Sequence, residues 1–139
     1  MKLNTRIYYL SVLLWFNATI AFPNIIDEFR KITENGKIGL ENISTNQIVI
    51  PPTFDDIGWS NNTSDLVIDG VIGFKINNKW GLIDLEENRV VKEQYSVLYP
   101  FTDNLIIVGK RSKTSVLYEY GVINSAGKFI IELQYQRLE

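Results

Sequence analysis

Histidine and cysteine are both absent from the sequence of 139 residues. Without cysteine the chain has no disulfide, thiolate nucleophile, zinc–thiolate site or cysteine for lipid attachment. Without histidine it lacks the commonest metal ligand and the commonest general base. These absences exclude most familiar hydrolase centres, and no cofactor or metal site is predicted.

The chain also has little surplus of charge. Its 14 basic and 16 acidic residues give a formal net charge of -2 and a pI near 5.2. Nucleic acid is not expected as a partner, because phosphate binding needs clustered Lys and Arg rather than this even scatter. A hydrophobic content of 45% in 139 residues suits a single globular domain.

The N-terminus has the pattern of an export signal. Lys2 and Arg6 precede the apolar run 7–16, and small residues follow up to Ala21. We therefore predict a signal peptide over residues 1–21 and a mature chain over 22–139, periplasmic or secreted. The alternative is an uncleaved anchor, although the run is shorter than the roughly 20 residues of a spanning helix. Cleavage would remove two of the 14 basic and none of the 16 acidic residues, leaving a charge of -4.

A phrase centred on glycine recurs along the chain. The three glycines are separated by 42 and 40 residues, and an aromatic residue follows each at a nearly constant distance. The glycines are Gly39, Gly81 and Gly121, and the aromatic residues are Phe54, Tyr95 and Tyr135. Phe29 with Ile32 reads as a further copy of the aromatic and aliphatic pair, so a partial unit is predicted at 29–35. A fixed period near forty residues is typical of stacked or radially arranged repeats.

The units read as β-strands. Residues 65–76 alternate apolar and polar side chains, with Gly70 and Gly73 predicted to mark a bulge or bend. The pairs 35–36 and 77–78 supply residues that tolerate the positive φ of tight hairpins. The expected fold is an all-β antiparallel meander of about three repeats, forming a curved or closed, barrel-like or propeller-like sheet. Residues 22–33 also fit a short N-terminal helix.

The phrase KWGLID at 79–84, together with IPPTFDDI at 50–57 and NLIIV at 104–108, resembles WG repeats. The resemblance covers residues 29–139, with repeat phrases at about 36–76, 77–118 and 119–139. It implies a repeated β fold and a propensity for protein contacts rather than a named activity. The copies depart from the family pattern: two lack its tryptophan, having Ile38 and Tyr120 there, and two carry asparagine for its aspartate, at 42 and 124.

The repeated residues have structural interpretations. Trp80, and Tyr120 in the third copy, are predicted to pack in the core beside glycines that let a neighbouring strand pass closely. A stacking platform for a sugar or another ligand is the alternative for Trp80. Asp84 is expected to accept hydrogen bonds from a turn. Trp59 lies outside the repeated phrase in a polar loop, where it is a candidate recognition residue or folds back onto the sheet.

The remaining candidates are charged. Lys110, Arg111 and Lys113 form a small basic cluster that fits an acidic partner or an anionic glycan, or an ordinary solvated hairpin. The neighbouring carboxylates at 55–56 and 86–87 do not make a catalytic pair by adjacency, because consecutive strand residues point to opposite faces. A calcium site built from the aspartates at 65, 69 and 103 is an alternative without supporting spacing.

These observations favour an exported, non-catalytic repeat domain that acts as a protein-interaction or ligand-binding module. Its expected partner is another envelope or extracellular protein, or a glycan. The alternatives are a purely structural envelope protein and an enzyme that uses carboxylates on glycans. A further hypothesis is that the segments 29–40 and 129–138 pair and close the sheet, since closure removes exposed edges.

Overall fold

A computed structural model describes residues 28–102, 104–113 and 116–135 of the chain. Eleven β-strands lie in these ranges, in three antiparallel sheets. The first sheet contains β1 (Phe29–Glu34), β2 (Lys37–Asn42) and β3 (Gln47–Phe54). The second contains β4 (Asp56–Ile57), β5 (Val71–Ile76), β6 (Lys79–Asp84) and β7 (Arg89–Tyr95). The third contains β8 (Val97–Thr102), β9 (Leu105–Arg111), β10 (Tyr118–Asn124) and β11 (Phe129–Tyr135).

The prediction of an all-β antiparallel fold is confirmed. The chain follows each sheet from one edge to the other, and β4 and β8 are the first strands of the second and third sheets. Within the described ranges β1 pairs with β2 alone and β11 with β10 alone, so the sheets form neither a closed barrel nor a propeller. The predicted pairing of 29–40 with 129–138 is therefore wrong for these residues. Of the helix predicted over 22–33, residues 29–33 belong to β1 and 22–27 lie outside the described residues.

One bulge recurs beside each repeat glycine. Ile38 pairs with Phe54 and Leu40 pairs with Ile50, so the short step across Gly39 in β2 faces a step of four residues in β3. The same register shift separates the pairs Trp80–Tyr95 and Leu82–Val91, and the pairs Tyr120–Tyr135 and Val122–Ile131. The bulge pushes the neighbouring backbone onto the glycine, because a Cβ at Gly39 would lie 2.4 Å from the Ile50 carbonyl oxygen.

The other two glycines have the same role. A Cβ would lie 2.6 Å from the Val91 carbonyl oxygen at Gly81 and 2.6 Å from the Ile131 carbonyl oxygen at Gly121. Real Cβ atoms do not approach so closely, so glycine is required by the crossing strand. This finding confirms the close passage expected from the sequence.

The tight turns follow the sequence signals, with one correction. Asn35 and Asn77 have φ values of 49° and 50°, as the hairpins beginning at those residues require. The strand predicted over 65–76 is interrupted at Gly70, where a bend was predicted: Ile68 and Val71 exchange backbone hydrogen bonds of 2.9 and 3.0 Å around a two-residue turn. That turn contains Gly70, and β5 begins only at Val71. The bend predicted at Gly73 is absent, since Gly73 pairs in regular register with Leu82.

Two hydrophobic cores lie between the three sheets. The first core joins the first and second sheets and contains Leu40, Ile50, Phe54, Ile57, Ile72, Phe74 and Ile83. The second core joins the second and third sheets and contains Trp59, Val71, Trp80, Leu82, Val91, Tyr95, Leu98, Ile106, Val108 and Ile123. The second sheet is thus buried on both faces, which explains why apolar residues in β5 and β6 do not alternate with polar ones.

The structural units are out of frame with the sequence phrases. The sheets cover residues 29–54, 56–95 and 97–135, whereas the repeat phrases predicted from the sequence cover about 36–76, 77–118 and 119–139. Phe29 pairs with Asn42 in the way that Val71 pairs with Asp84, so Phe29 is equivalent to Val71 and not to Phe54. The partial unit predicted at 29–35 is accordingly the first strand of a three-stranded sheet. No helix in the described ranges has both the length and the apolar character needed to cross a membrane.

Candidate interaction sites

A carboxylate lies at the junction of the first and second sheets. Asp55 is the single residue between β3 and β4, and its backbone N–H donates to the carbonyl of Lys75 at 2.9 Å. Its side chain accepts hydrogen bonds from Lys37 Nζ at 2.6 Å and from the backbone N–H of Asn77 at 2.8 Å. The Lys37 bond, followed by the Asn77 bond, lowers the pKa of Asp55 below its ordinary value. The junction therefore holds an ionised carboxylate between lysines.

The junction of the second and third sheets has the same backbone hydrogen bond as the first junction but a different side chain. Ser96 is the single residue between β7 and β8, and its N–H donates to the carbonyl of Gly109 at 2.8 Å. Its hydroxyl oxygen lies 3.0 Å from Lys79 Nζ. Lys79 is equivalent to Lys37, because both begin the strand that contains the repeat glycine. A neutral hydroxyl thus takes the place of the Asp55 carboxylate.

A second lysine approaches the same junction from the third sheet. Lys110 Nζ donates to Gln94 Oε1 at 2.5 Å and lies 5.0 Å from the centre of the Tyr95 ring. Burial lowers the pKa of Lys110, and the positive charges of Lys113 and Lys79 lower it further. The lysines at this junction consequently repel one another.

The predicted basic cluster is only partly retained. Lys110 and Arg111 are consecutive in β9 and so project to opposite faces of the third sheet. Lys113 lies beyond the end of β9, close enough for its charge to act on Lys110. Lys79 is the member that sequence reasoning missed, and the alignment of Lys37 with Lys79 is the signal that would have found it.

Trp59 is not displayed for recognition. Its side chain is 3% exposed, and the indole N–H donates to the carbonyl of Asp65 at 2.8 Å. The following residue holds the loop against β8, because Ser60 N–H donates to the Leu98 carbonyl and Leu98 N–H donates to Ser60 Oγ. Trp59 therefore folds back into the second core, and its interpretation as an exposed recognition residue is wrong.

Of the repeated aromatic residues, Phe54, Trp80 and Tyr95 are buried core residues, while Tyr120 is half-buried and belongs to neither core. Trp80 is 6% exposed and Tyr95 is 2% exposed, so Trp80 does not provide an open stacking platform. Phe54 packs on Phe74, with ring centres 4.8 Å apart. Tyr120 occupies the space beside Gly109, where a Cβ would lie 2.8 Å from its ring. The side chain at position 135 lies outside the described side chains.

Asp84 and its equivalents organise one turn in each repeat. Asp84 Oδ1 accepts hydrogen bonds from the backbone N–H groups of Glu86 at 2.9 Å and Asn88 at 2.8 Å. Asn42 Oδ1 accepts from two N–H groups in the first repeat, and Asn124 Oδ1 accepts from Lys128 N–H in the third. Asparagine can replace aspartate because the turn needs only a side-chain oxygen at this position. Asn124 keeps the bond to the residue four positions on, whereas Asn42 binds residues two and three positions on.

The adjacent carboxylates at 55 and 56 belong to two separate ion pairs. Asp55 binds Lys37 at 2.6 Å, whereas Asp56 binds Lys31 at 2.9 Å on a different strand. Within the described ranges no group of three or more His, Cys, Asp or Glu side chains is arranged to hold a metal ion. Residue 103, part of the calcium alternative, lies outside those ranges.

The two ends of the stack of sheets differ in polarity. Ile72 pairs with Ile83 on the side of the second sheet that faces the first, and Ile106 pairs with Ile123 in the same register of the third sheet. The equivalent pair in the first sheet is Arg30–Glu41, joined by an ion pair of 2.6 Å. This outer side of the first sheet also exposes one large apolar side chain, Ile48, the register partner of Glu41, whereas β10 and the two residues before it expose three in a row, Val116, Leu117 and Tyr118.

Comparison with known proteins agrees with this repeat geometry. The family model of the WG containing repeat matches residues 44–80, 80–113 and 120–139. No curated protein and no solved structure matches the chain. The matched ranges contain Trp80 and Gly81 in β6 and residues 120–124 of β10, which include Gly121. They also contain β7 and β11, the bulged strands that cross these two glycines. The chain therefore belongs to the WG-repeat family.

Proposed function

We propose that this chain is an exported, non-catalytic repeat module that binds another protein through the third-sheet end, defined as the exposed apolar residues Val116, Leu117 and Tyr118. The observation that carries this proposal is the difference in polarity between the two ends of the stack. Val116, Leu117 and Tyr118 are 79%, 45% and 38% exposed, whereas the first sheet exposes one large apolar side chain, Ile48, beside the Arg30–Glu41 ion pair.

The physical chemistry of the two ends supports this choice. Covering Arg30 and Glu41 with a partner would remove charges from water, at a cost that is recovered only with well-placed new partners. Covering Val116, Leu117 and Tyr118 would instead bury apolar surface, which is favourable at about 25 cal/mol per Å². Tyrosine is also enriched among the residues that dominate binding energy at protein interfaces.

The assignments of export and of a non-catalytic role rest on separate features. The basic start and apolar run of residues 1–21 support export to the periplasm or beyond the cell. The use of Asp55 in an ion pair and of Asp84 in a turn supports a role without carboxylate catalysis. The expected partner is an envelope or extracellular protein.

Affinity capture with matched variants tests the proposal. The protein, carrying a C-terminal tag and produced in its own cells, would be recovered with its partners as wild type, as Val116→Lys/Tyr118→Lys and as Ile48→Lys. Ile48 is 58% exposed in the first sheet and controls for the loss of an exposed apolar side chain. We expect one protein to be retained by wild type and Ile48→Lys and lost from the double variant.

Two results would contradict the proposal. Equal retention of the partner by all three forms would show that the third-sheet end does not bind it. A retained partner that resists protease but is removed by glycosidases would be a glycan and not a protein.

A further inference from the structure

The two junctions between sheets are equivalent in backbone and unequal in charge. Asp55 and Ser96 each separate the last strand of one sheet from the first strand of the next. Each donates its backbone N–H to a residue of the following sheet, at 2.9 Å to Lys75 and at 2.8 Å to Gly109. Position 55 provides a carboxylate, whereas position 96 provides a hydroxyl.

The first junction is electrostatically balanced. The Asp55 carboxylate contacts Lys37 Nζ at 2.6 Å, and the charge of Lys75 also favours its ionised form. The carboxylate accepts hydrogen bonds from both donors that point into this junction, Lys37 Nζ at 2.6 Å and the backbone N–H of Asn77 at 2.8 Å. Two lysines thus share one negative charge.

The second junction lacks that negative charge. Lys79 Nζ contacts the Ser96 hydroxyl at 3.0 Å, and Lys110 Nζ contacts the Gln94 amide oxygen at 2.5 Å. Four ion pairs occur among the described residues, and neither lysine belongs to any of them. Lys79 therefore faces a neutral oxygen at the position where Lys37 faces a carboxylate, and Lys110 beside it also faces a neutral oxygen.

Two carboxylates near this junction form no ion pair with its lysines. Glu119 is the register partner of Lys110 across β9 and β10, but its Oε1 accepts a hydrogen bond from Ser112 Oγ at 2.6 Å. Glu132 raises the pKa of Tyr95, after the larger effect of burial, and forms no ion pair with Lys79 or Lys110. The positive charge at the junction is left without a counter-charge from these two side chains.

We propose that the second junction is a binding site for a carboxylate group of a ligand, held between Lys79 and Lys110 at the place that Asp55 fills in the first junction. The two ammonium groups carry donors beyond those bound to Ser96 and Gln94, and a carboxylate has two oxygens to accept them. The acidic side chain of a peptide and a small carboxylic acid present the same group.

This site is separate from the third-sheet end and does not depend on the function proposed above. Its donors are the ammonium groups of an exposed lysine, Lys79, and a half-buried one, Lys110, so the expected affinity is low and decreases with salt. Relief of the repulsion among Lys79, Lys110 and Lys113 favours binding, because a nearby negative charge stabilises the charged form of each lysine.

Titration with sodium acetate at constant ionic strength tests the proposal. Sodium chloride would be replaced stepwise by sodium acetate. At each step the backbone amide chemical shifts of the 15N-labelled protein, in the form that its cells produce, would be recorded. We expect saturable shifts at residues 94–96 and at Lys110, with a dissociation constant in the millimolar range. A blocked tripeptide with a central aspartate, compared with its asparagine analogue, then distinguishes an acidic side chain from a small acid as the preferred source.

Three variants make the result specific. Lys79→Gln and Lys110→Gln should each weaken acetate binding several-fold, while Lys92→Gln, which removes an exposed lysine of the second sheet, should leave it unchanged. Ser96→Asp should abolish acetate binding and raise the Tm, because it gives the second junction the carboxylate that Asp55 provides in the first.

The outcomes are decisive in both directions. Shifts identical in acetate and chloride, or unchanged in both lysine variants, would overturn the proposal. Acetate binding that persists in a folded Ser96→Asp protein would overturn it as well. If Ser96→Asp does not fold, the two lysine variants and the Lys92→Gln control still decide the question.

Discussion

The first sheet and the second sheet use equivalent positions in opposite environments. Phe74 in β5 is fully buried in the first core, whereas its equivalent in β1, Ile32, lies on the outer side of the first sheet and is half-buried. Arg30 and Glu41 replace the aliphatic pair Ile72–Ile83 on that same side. In repeat proteins an internal unit needs two apolar faces, and a terminal unit needs a polar outer face to remain soluble. The first sheet is therefore the capping unit of this stack.

The largest expected difference is in the loss of stability when the equivalent side chains of Phe74 and Ile32 are each truncated to alanine. Phe74→Ala should lower the free energy of unfolding by about 3–5 kcal/mol, because it removes a fully buried ring and leaves a cavity. Ile32→Ala should lower it by only about 1 kcal/mol, since one side of this residue faces away from the core. Urea unfolding followed by tryptophan fluorescence measures both values.

A milder variant keeps this comparison usable if Phe74→Ala does not fold. Phe74→Leu retains an apolar side chain and should cost about 1–1.5 kcal/mol. Equal losses of stability for Phe74→Ala and Ile32→Ala would contradict the assignment of the first sheet as a cap.

The polarity of the cap is expected to control association. Arg30→Ile/Glu41→Ile restores the aliphatic pair of the internal sheets and turns the first-sheet end into an apolar face. We expect this variant to self-associate in analytical ultracentrifugation at concentrations where the wild type does not change its state, because large exposed apolar patches mark association surfaces.

The control for association removes charge without adding apolar surface. Arg30→Gln/Glu41→Gln should sediment as the wild type does. An aliphatic variant that also sediments as the wild type would show that the ion pair is not what keeps this end free. The comparison of the two ends would then lose its main support.

Much of this architecture could be predicted from the sequence because it rests on local rules. The period of the glycines located the bulged strands, and Asn35 and Asn77 marked hairpins that require positive φ. Trp80 beside Gly81 indicated close packing between strands, which is confirmed because a Cβ at Gly81 would lie only 2.6 Å from the Val91 carbonyl oxygen. Each of these signals comes from residues close together in the chain or at one fixed spacing.

The errors came from contacts that depend on how the sheets stack. Alternation across 65–76 predicted one long strand, yet β5 is buried on both faces and begins after a turn at Gly70. For Trp59 the sequence left two alternatives open, exposure for recognition or folding back onto the sheet, because the hydrogen bonds of Ser60 to β8 cannot be read from the sequence. Lys79 was missed because its environment is visible only when the two junctions are aligned. The alignment shows that Ser96 stands beside Lys79 where Asp55 stands beside Lys37.

The smallest effect concerns pH and again compares the two junctions. Because the pKa of Asp55 is lowered in the folded protein, its ion pair stabilises the fold above the ordinary pKa of 3.8. This contribution is lost as the pH falls from that value through the pKa of the folded state. Asp55→Asn should therefore flatten the decrease of Tm with pH below about pH 4.

Asp84 provides the control, since its pKa is lowered as well, first by the hydrogen bond from the Asn88 side chain. Asp84→Asn should flatten the same decrease to a smaller extent, because that carboxylate has no lysine partner among the described ion pairs. Ser96→Asp should have the opposite effect and steepen the decrease, since it adds a carboxylate beside Lys79. If Ser96→Asp leaves the acid dependence of the Tm unchanged, the second junction does not reproduce the electrostatics of the first.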